Sequence, residues 1–253
     1  MCYSTNHLSK VILRADFLQL QNELLTNCDA FTAAIRTNFP HVTSLPLMAM
    51  SVEVMQEGEA NVSRTDSGTQ WTYRKEIDGT IAVVVSPNFV SLEYGPADYT
   101  TFDAFLADFE MAFNAFRGLF NIEQVVRVGL RYINEIRLPG RAMDWDGIID
   151  QSLIAAVKAS LLPTGRMVRS IHQIVQQVGE DQVLLTYGLP NPDFPSPNVQ
   201  RFFILDIDCY RSYTIESNTV VACAKELNVN ATEAFEASID TGLRDKMGIV
   251  VNE

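Results

Sequence analysis

Apolar positions along this chain recur at two spacings, and each change of spacing marks an element. Residues 10–20, KVILRADFLQL, alternate apolar and polar side chains as a half-buried strand does. Leu24, Cys28, Phe31 and Ile35 then recur at helical steps, and Pro40 closes that segment. Three further alternating runs, 47–55, 70–77 and 81–94, predict strands, with Asp78-Gly79 as a turn between the last two. Pro87 has no N–H to give a ladder and predicts an edge, bulge or bend within the third run.

Residues 100–120 carry the strongest helical signal. Phe102, Phe105, Leu106, Phe109, Phe113, Phe116 and Phe120 build one stripe at three- and four-residue steps. Thr100 and Asp103 have the spacing of a capping box at its start. Such a stripe predicts a helix laid on a sheet face; a groove for a cofactor or partner is the alternative.

The stretch 127–138, RVGLRYINEIRL, predicts a strand with two unlike faces, because successive side chains point to opposite sides. Arg127, Gly129, Arg131, Ile133, Glu135 and Arg137 share one face; Val128, Leu130, Tyr132, Asn134, Ile136 and Leu138 share the other. Asn134 among apolar neighbours suggests a bend or a side chain bonded to backbone. Residues 139–147, PGRAMDWDG, then read as a hinge or linker.

After it the order of elements recurs. A helix over 147–161 precedes strands over 166–178, 182–189 and 201–212, and a helical C-terminus runs over 219–247. The loop 190–198, PNPDFPSPN, holds four prolines and reads as a stiff connection, with partner docking through Phe194 as the alternative. The fold class is therefore α+β. Two topologically similar halves, 1–138 and 139–253, would each be an antiparallel three- to four-stranded meander with long amphipathic helices on one face. One continuous pseudo-symmetric domain is the alternative to separate domains.

Composition narrows the function. With 19 Lys+Arg against 31 Asp+Glu the net charge is −12, which argues against duplex nucleic acid and anionic membrane surfaces as partners. The four cysteines, Cys2, Cys28, Cys209 and Cys223, form no CxxC, so a reducing compartment is the simpler expectation. No leader-like segment or spanning apolar run is visible, and the expected location is the cytoplasm. Nucleotide-binding glycine motifs, a GxSxG elbow and an HExxH helix are absent from the sequence, and His7, His41 and His172 fall on unrelated segments. No resident metal or cofactor is expected.

The polar positions that remain are Asp206 and Asp208, in FILDIDCY, on one face of a strand about 7 Å apart. They can pair with Arg127 and Arg131, hold a divalent cation, or meet a partner. Arg127 and Arg131, about 13 Å apart along their strand, could span an extended anion. Arg127, Arg131, Tyr132, Asn134, Asp206 and Asp208 are the candidate ligand-binding residues.

The run Arg127-Val128-Gly129-Leu130-Arg131-Tyr132-Ile133-Asn134 resembles the R-x-G-L-R-Y-I-N strand of a sporadically distributed, uncharacterised prokaryotic family of about 250 residues. The resemblance extends to Leu205-Asp206-Ile207-Asp208, to AFEASI at 234–239 and on to Leu243 and Met247, and weakly to VILRADF near the start. Asp240 stands where the family often has Thr. The resemblance implies no reaction. Sporadic distribution is typical of mobile or defence loci, so it implies an accessory or regulatory component. The leading expectation is a non-catalytic binding or regulatory protein with a protein partner, homo-oligomerisation being left open. A small-anion or nucleotide sensor using Arg127 and Arg131 is the first alternative, and a divalent-metal enzyme using Asp206 and Asp208 the second.

Overall fold

A computed structural model describes residues 2–18, 20, 23–54, 60–159 and 165–250. In chain order its elements are β1 (Cys2–Tyr3), β2 (Leu8–Asp16), α1 (Glu23–Ile35), β3 (His41–Val54), β4 (Ala60–Arg74), β5 (Ala82–Ser86), β6 (Phe89–Tyr94), α2 (Phe102–Phe120), β7 (Gln124–Val125), β8 (Arg127–Arg137), α3 (Gln151–Lys158), β9 (Ser170–Val178), β10 (Asp181–Leu189), β11 (Phe202–Arg211), β12 (Ile215–Glu216), α4 (Val220–Ser238), α5 (Thr241–Met247) and β13 (Ile249–Val250). The protein is mixed α+β. Nine strands form one antiparallel sheet in the order β3-β4-β5-β6-β2-β8-β11-β10-β9. The short strands pair as β1 with β13 and β7 with β12.

Alternation fixes which side of this sheet is dry. Reading across the sheet, Tyr73, Val83, Leu92, Leu13, Leu130, Cys209 and Val183 stand opposite one another on seven successive strands. All seven are buried, and the helices cover this side. Phe31 of α1 meets Tyr73, Phe105 of α2 meets Tyr94, and Cys223 and Leu227 of α4 join the same core. Leu153, Ile154 and Val157 of α3 complete a second core with Phe203, Leu205 and Tyr187. Hydrophobic burial on one parity of each strand therefore sets which side is dry.

The aromatic stripe lies inside this core. Phe105, Phe109, Phe113, Phe116 and Phe120 are buried, while Phe102 is only partly so. The cap is one residue later than the sequence suggests: Thr101, not Thr100, accepts from the Ala104 N–H, in the reach an N-cap hydroxyl has to its N3 amide. Pro87 falls in the turn that divides β5 from β6.

Three expectations need correction. Residues 139–147 are no free linker: Trp145 is fully buried against Phe203, and its Nε1–H donates to the Ala142 carbonyl at 2.7 Å. A large aromatic with a satisfied N–H anchors that segment in the second core. The following helix starts later, at Gln151, because Asp150 caps it through the Ser152 N–H. The C-terminal helix is broken. Ile239 turns extended to bridge Ile149, and Asp240 caps a separate α5. Residues 160–161 of the expected helix and Met55 of the expected strand lie outside the described residues.

β3 and β4 are longer than their sequence signals, at 14 and 15 residues. Only Trp71–Arg74 of β4 pair with β5. From Met48 and Asp66 outward the two strands pair with each other and with no other strand among the described residues. No helix among those residues is long and apolar enough to cross a membrane.

Candidate functional site

The side of the sheet away from the helices carries the charge. Register places Ile12, Arg131, Asp208 and Leu184 in one cross-strand row, and Arg14, Gly129, Tyr210 and Gln182 in the next. Asp16 stands opposite Arg127, and Ile133 opposite Asp206.

Both arginines lean the same way along β8. Arg131 does not bond Asp208 directly opposite; it reaches on to Asp206, with Nε to Oδ1 at 2.7 Å and Nη2 to Oδ2 at 2.5 Å. This two-pronged geometry uses the planar fork of the guanidinium and both carboxylate oxygens. The hydrogen bond to Asp206 raises the Arg131 pKa above its usual range. Arg127 reaches Asp208 with Nη2 at 3.1 Å from Oδ2, and its Nη1 lies 3.6 Å from Asp16 Oδ2. Asp16 in turn accepts from Arg14, whose guanidinium lies over the Phe89 ring. Three guanidiniums and three carboxylates thus lie together at the centre of an acidic protein, with Asp16 Oδ2 buried and held by charge alone, without a hydrogen-bond donor.

Gly129 makes the Arg127 contact possible. To reach Asp208, Arg127 must cross the position between them on its own strand face. A Cβ at Gly129 would lie 2.5 Å from Arg127 Nη1. The Tyr210 ring, opposite Gly129, walls the slot, with the Arg127 guanidinium 4.7 Å from its centroid. Gly129→Ala is therefore expected to push Arg127 off Asp208 and to cost about 1–2 kcal/mol. The same change made on Arg127→Met should cost little, since the obstructed group is already gone. Urea unfolding of the four proteins measures this, and additive losses would mean that the slot does not hold Arg127.

Burial pushes the Asp208 carboxyl above its ordinary value, opposed by the charges of Arg127 and Arg131. A carboxyl whose folded pKa is raised contributes stability that is complete below its unfolded pKa and is lost as pH rises through the folded one. Wild type should therefore lose stability relative to Asp208→Asn over that interval. Urea midpoints of both proteins across mildly acid pH check the sign. A wild type that gains on the variant with rising pH would show that the ion pair outweighs desolvation.

Tyr132 and Asn134, the other two candidates, point to the helix side. The Tyr132 hydroxyl donates to Asn228 Oδ1 of α4 at 2.7 Å and lies 3.1 Å from the Tyr99 hydroxyl; burial raises its pKa. Asn134 is buried and its Nδ2 donates to the Leu205 carbonyl at 3.2 Å. It stands opposite the irregularity in β2 between Leu8 and Lys10, where Ser9 Oγ donates to the Ile133 carbonyl. Both residues hold β8 to its neighbours, and neither shares a surface with Arg127 or Arg131.

Both oxygens of Asp206 already accept from Arg131. Among the described residues no group of three or more His, Cys, Asp or Glu side chains is arranged to hold an ion. Cys28, Cys209 and Cys223 are buried free thiols, and burial pushes Cys209 up to about 12 and Cys223 up to about 11. Such thiols are poor nucleophiles. His172 stacks on Tyr187 and lies 2.8 Å from Ser170 Oγ.

Sequence reasoning missed Arg14, Asp16, Gly129 and Tyr210. The first two were legible as RAD in the opening strand, which puts both charges on one face. Gly129 was legible as the small residue between two arginines of one parity. A second network also escaped notice. Arg211 donates to Asp181 at 2.6 Å and to Glu226 at 2.7 Å, and Asn230 donates to Asp181 at 2.9 Å. Its members lie far apart in sequence and no motif links them. In comparison with protein-family models, with curated proteins and with solved structures, the chain has no match in any of the three.

Proposed function

We propose that this chain is a non-catalytic binding protein, a cytoplasmic accessory or regulatory component of a mobile or defence-type locus that acts through a protein partner. The locus and compartment rest on the sequence resemblance and on cysteine usage. One structural observation carries the binding role: the β3–β4 ribbon continues beyond the sheet, with Leu45 and Met48 exposed by 60% and 64%. Apolar side chains on an extended two-stranded arm offer a partner area to bury.

The test is to replace residues 48–66 by an Asn-Gly turn and to co-express each chain with the products of neighbouring genes. The shortened chain should keep the melting temperature of the sheet and lose the partner. Equal recovery of a partner by both chains would remove the ribbon from the binding surface. Recovery of none by the full chain would remove the reading itself.

A second reading, a small-anion or nucleotide sensor, is supported by the 44% exposure that Arg131 keeps while bonded to Asp206. An incoming phosphate would have to displace that carboxylate. Thermal melts against phosphate and nucleotides decide it, because a ligand at 100 times its Kd adds about 2.7 kcal/mol.

We infer also that the chain is one continuous domain of two topologically equivalent halves, with the division before β8 rather than after residue 138. The sheet order supports this, since β4-β5-β6-β2 and β9-β10-β11-β8 run inward from opposite sides and meet at β2 and β8, so that β8 opens the second half.

A further inference from the structure

The two edges of the nine-stranded sheet are built differently. β3 carries Pro46, which has no N–H to offer. This discourages another strand from joining there. β9 reads SIHQIVQQV and has no Asp, Glu, Lys, Arg, Pro or Gly. It pairs with β10 along all nine residues, and its other side has no strand partner among the described residues. Ile171, Ile174, Val175 and Val178 are all exposed, Val175 by 59%.

We propose that β9 is a self-association edge: two copies of this chain join β9 to β9, antiparallel, about a two-fold axis at Ile174. The sheet of one copy then continues into the sheet of the other. Three observations bear on the occupant: register and charge favour a second copy, and the extent of the exposed surface favours an interface here.

Register is the first. Antiparallel pairing centred on a residue sets positions of one parity opposite each other, so the helix-covered side meets the helix-covered side. Centring on Ile174 is the register that matches all nine residues, Ser170 facing Val178 of the second copy. Ile174 then meets its own counterpart on the helix side, and Gln173 meets Val175 on the other.

Charge is the second. Any charge beside a two-fold axis faces its own copy, and this chain carries −12. A strand with no charge over nine residues avoids that repulsion, whereas a strand from a different protein could have used charge to specify its partner. The third is that the apolar surface does not stop at the strand. Phe194, exposed by 56%, lies beside Arg169 just before β9 begins, and α3 packs alongside β9. A lone strand edge falls short of the roughly 800 Å² per partner of a stable interface, so association should be concentration-dependent.

Sedimentation velocity on the full chain from about 1 to 200 µM should show monomer passing to dimer. Val175→Lys, at an exposed position one residue from the axis, should raise the dissociation constant at least about tenfold without lowering the melting temperature. Hydrogen exchange on the wild type supplies a second measurement that needs no variant. β9 amides should be protected at the high concentration and exchange faster at the low one, while β3 amides stay the same. A wild type that remains monomeric throughout overturns the proposal and leaves the edge to a strand from another protein. A dimer that Val175→Lys leaves intact, with β9 exchange independent of concentration, overturns it too, since the contact then lies elsewhere.

Discussion

Phe116→Ala is expected to cost about 3–5 kcal/mol, near the top of the range for truncating a buried ring. Phe116 is fully buried, and three rings surround it: Phe120 at 4.7 Å, Phe17 at 5.2 Å and Phe31 at 5.6 Å between centroids. These come from α2, from the residue just after β2, and from α1, so the cavity would open where three parts of the chain meet. Close packing on all sides limits how far the neighbours can relax into the space, and it is this limit that sets the cost. Urea unfolding with an unchanged m-value measures the loss directly. A loss below about 1 kcal/mol would mean that the helix is not held to the sheet through this ring.

Asp181→Ala should be comparably severe, at about 3 kcal/mol, for an electrostatic reason. Asp181 is almost fully buried and accepts from both Arg211 and Asn230. Removing it leaves a guanidinium and an amide donor facing the vacated space, and the remaining bond from Arg211 to Glu226 is at an exposed carboxylate. The penalty is mostly that of the stranded charge. Arg211→Met on the Asp181→Ala background should therefore return part of the loss, with a coupling of about 1–3 kcal/mol in a double-mutant cycle. Independent, additive losses would show that the two side chains do not depend on each other in the folded protein.

The charged face was the more legible part of the candidate site. Arg127 and Arg131 share one parity, as do Asp206 and Asp208, and two strands that are apolar on their other faces have few places for such charges except beside each other. The choice within the set was not legible. Arg131 skips the aspartate opposite and takes Asp206, because the side chain leans along the strand. Arg127 crosses Gly129 to take the aspartate left free. Tyr132 and Asn134 were grouped with the arginines by nearness in sequence, yet alternation alone puts them on the opposite side.

For the fold, what sequence determined by itself was local: which segments alternate, which recur at helical steps, and which face of each is apolar. Period and parity depend on neighbours a few residues away, so the chain states them everywhere. Tertiary structure alone decided which strands adjoin, that β2 pairs with β8 across more than a hundred residues, that Trp145 turns a linker-like stretch into core, and that β9 is left at an edge. Those outcomes depend on contacts between distant segments whose patterns are nearly interchangeable. They are settled only when the whole apolar surface is buried at once.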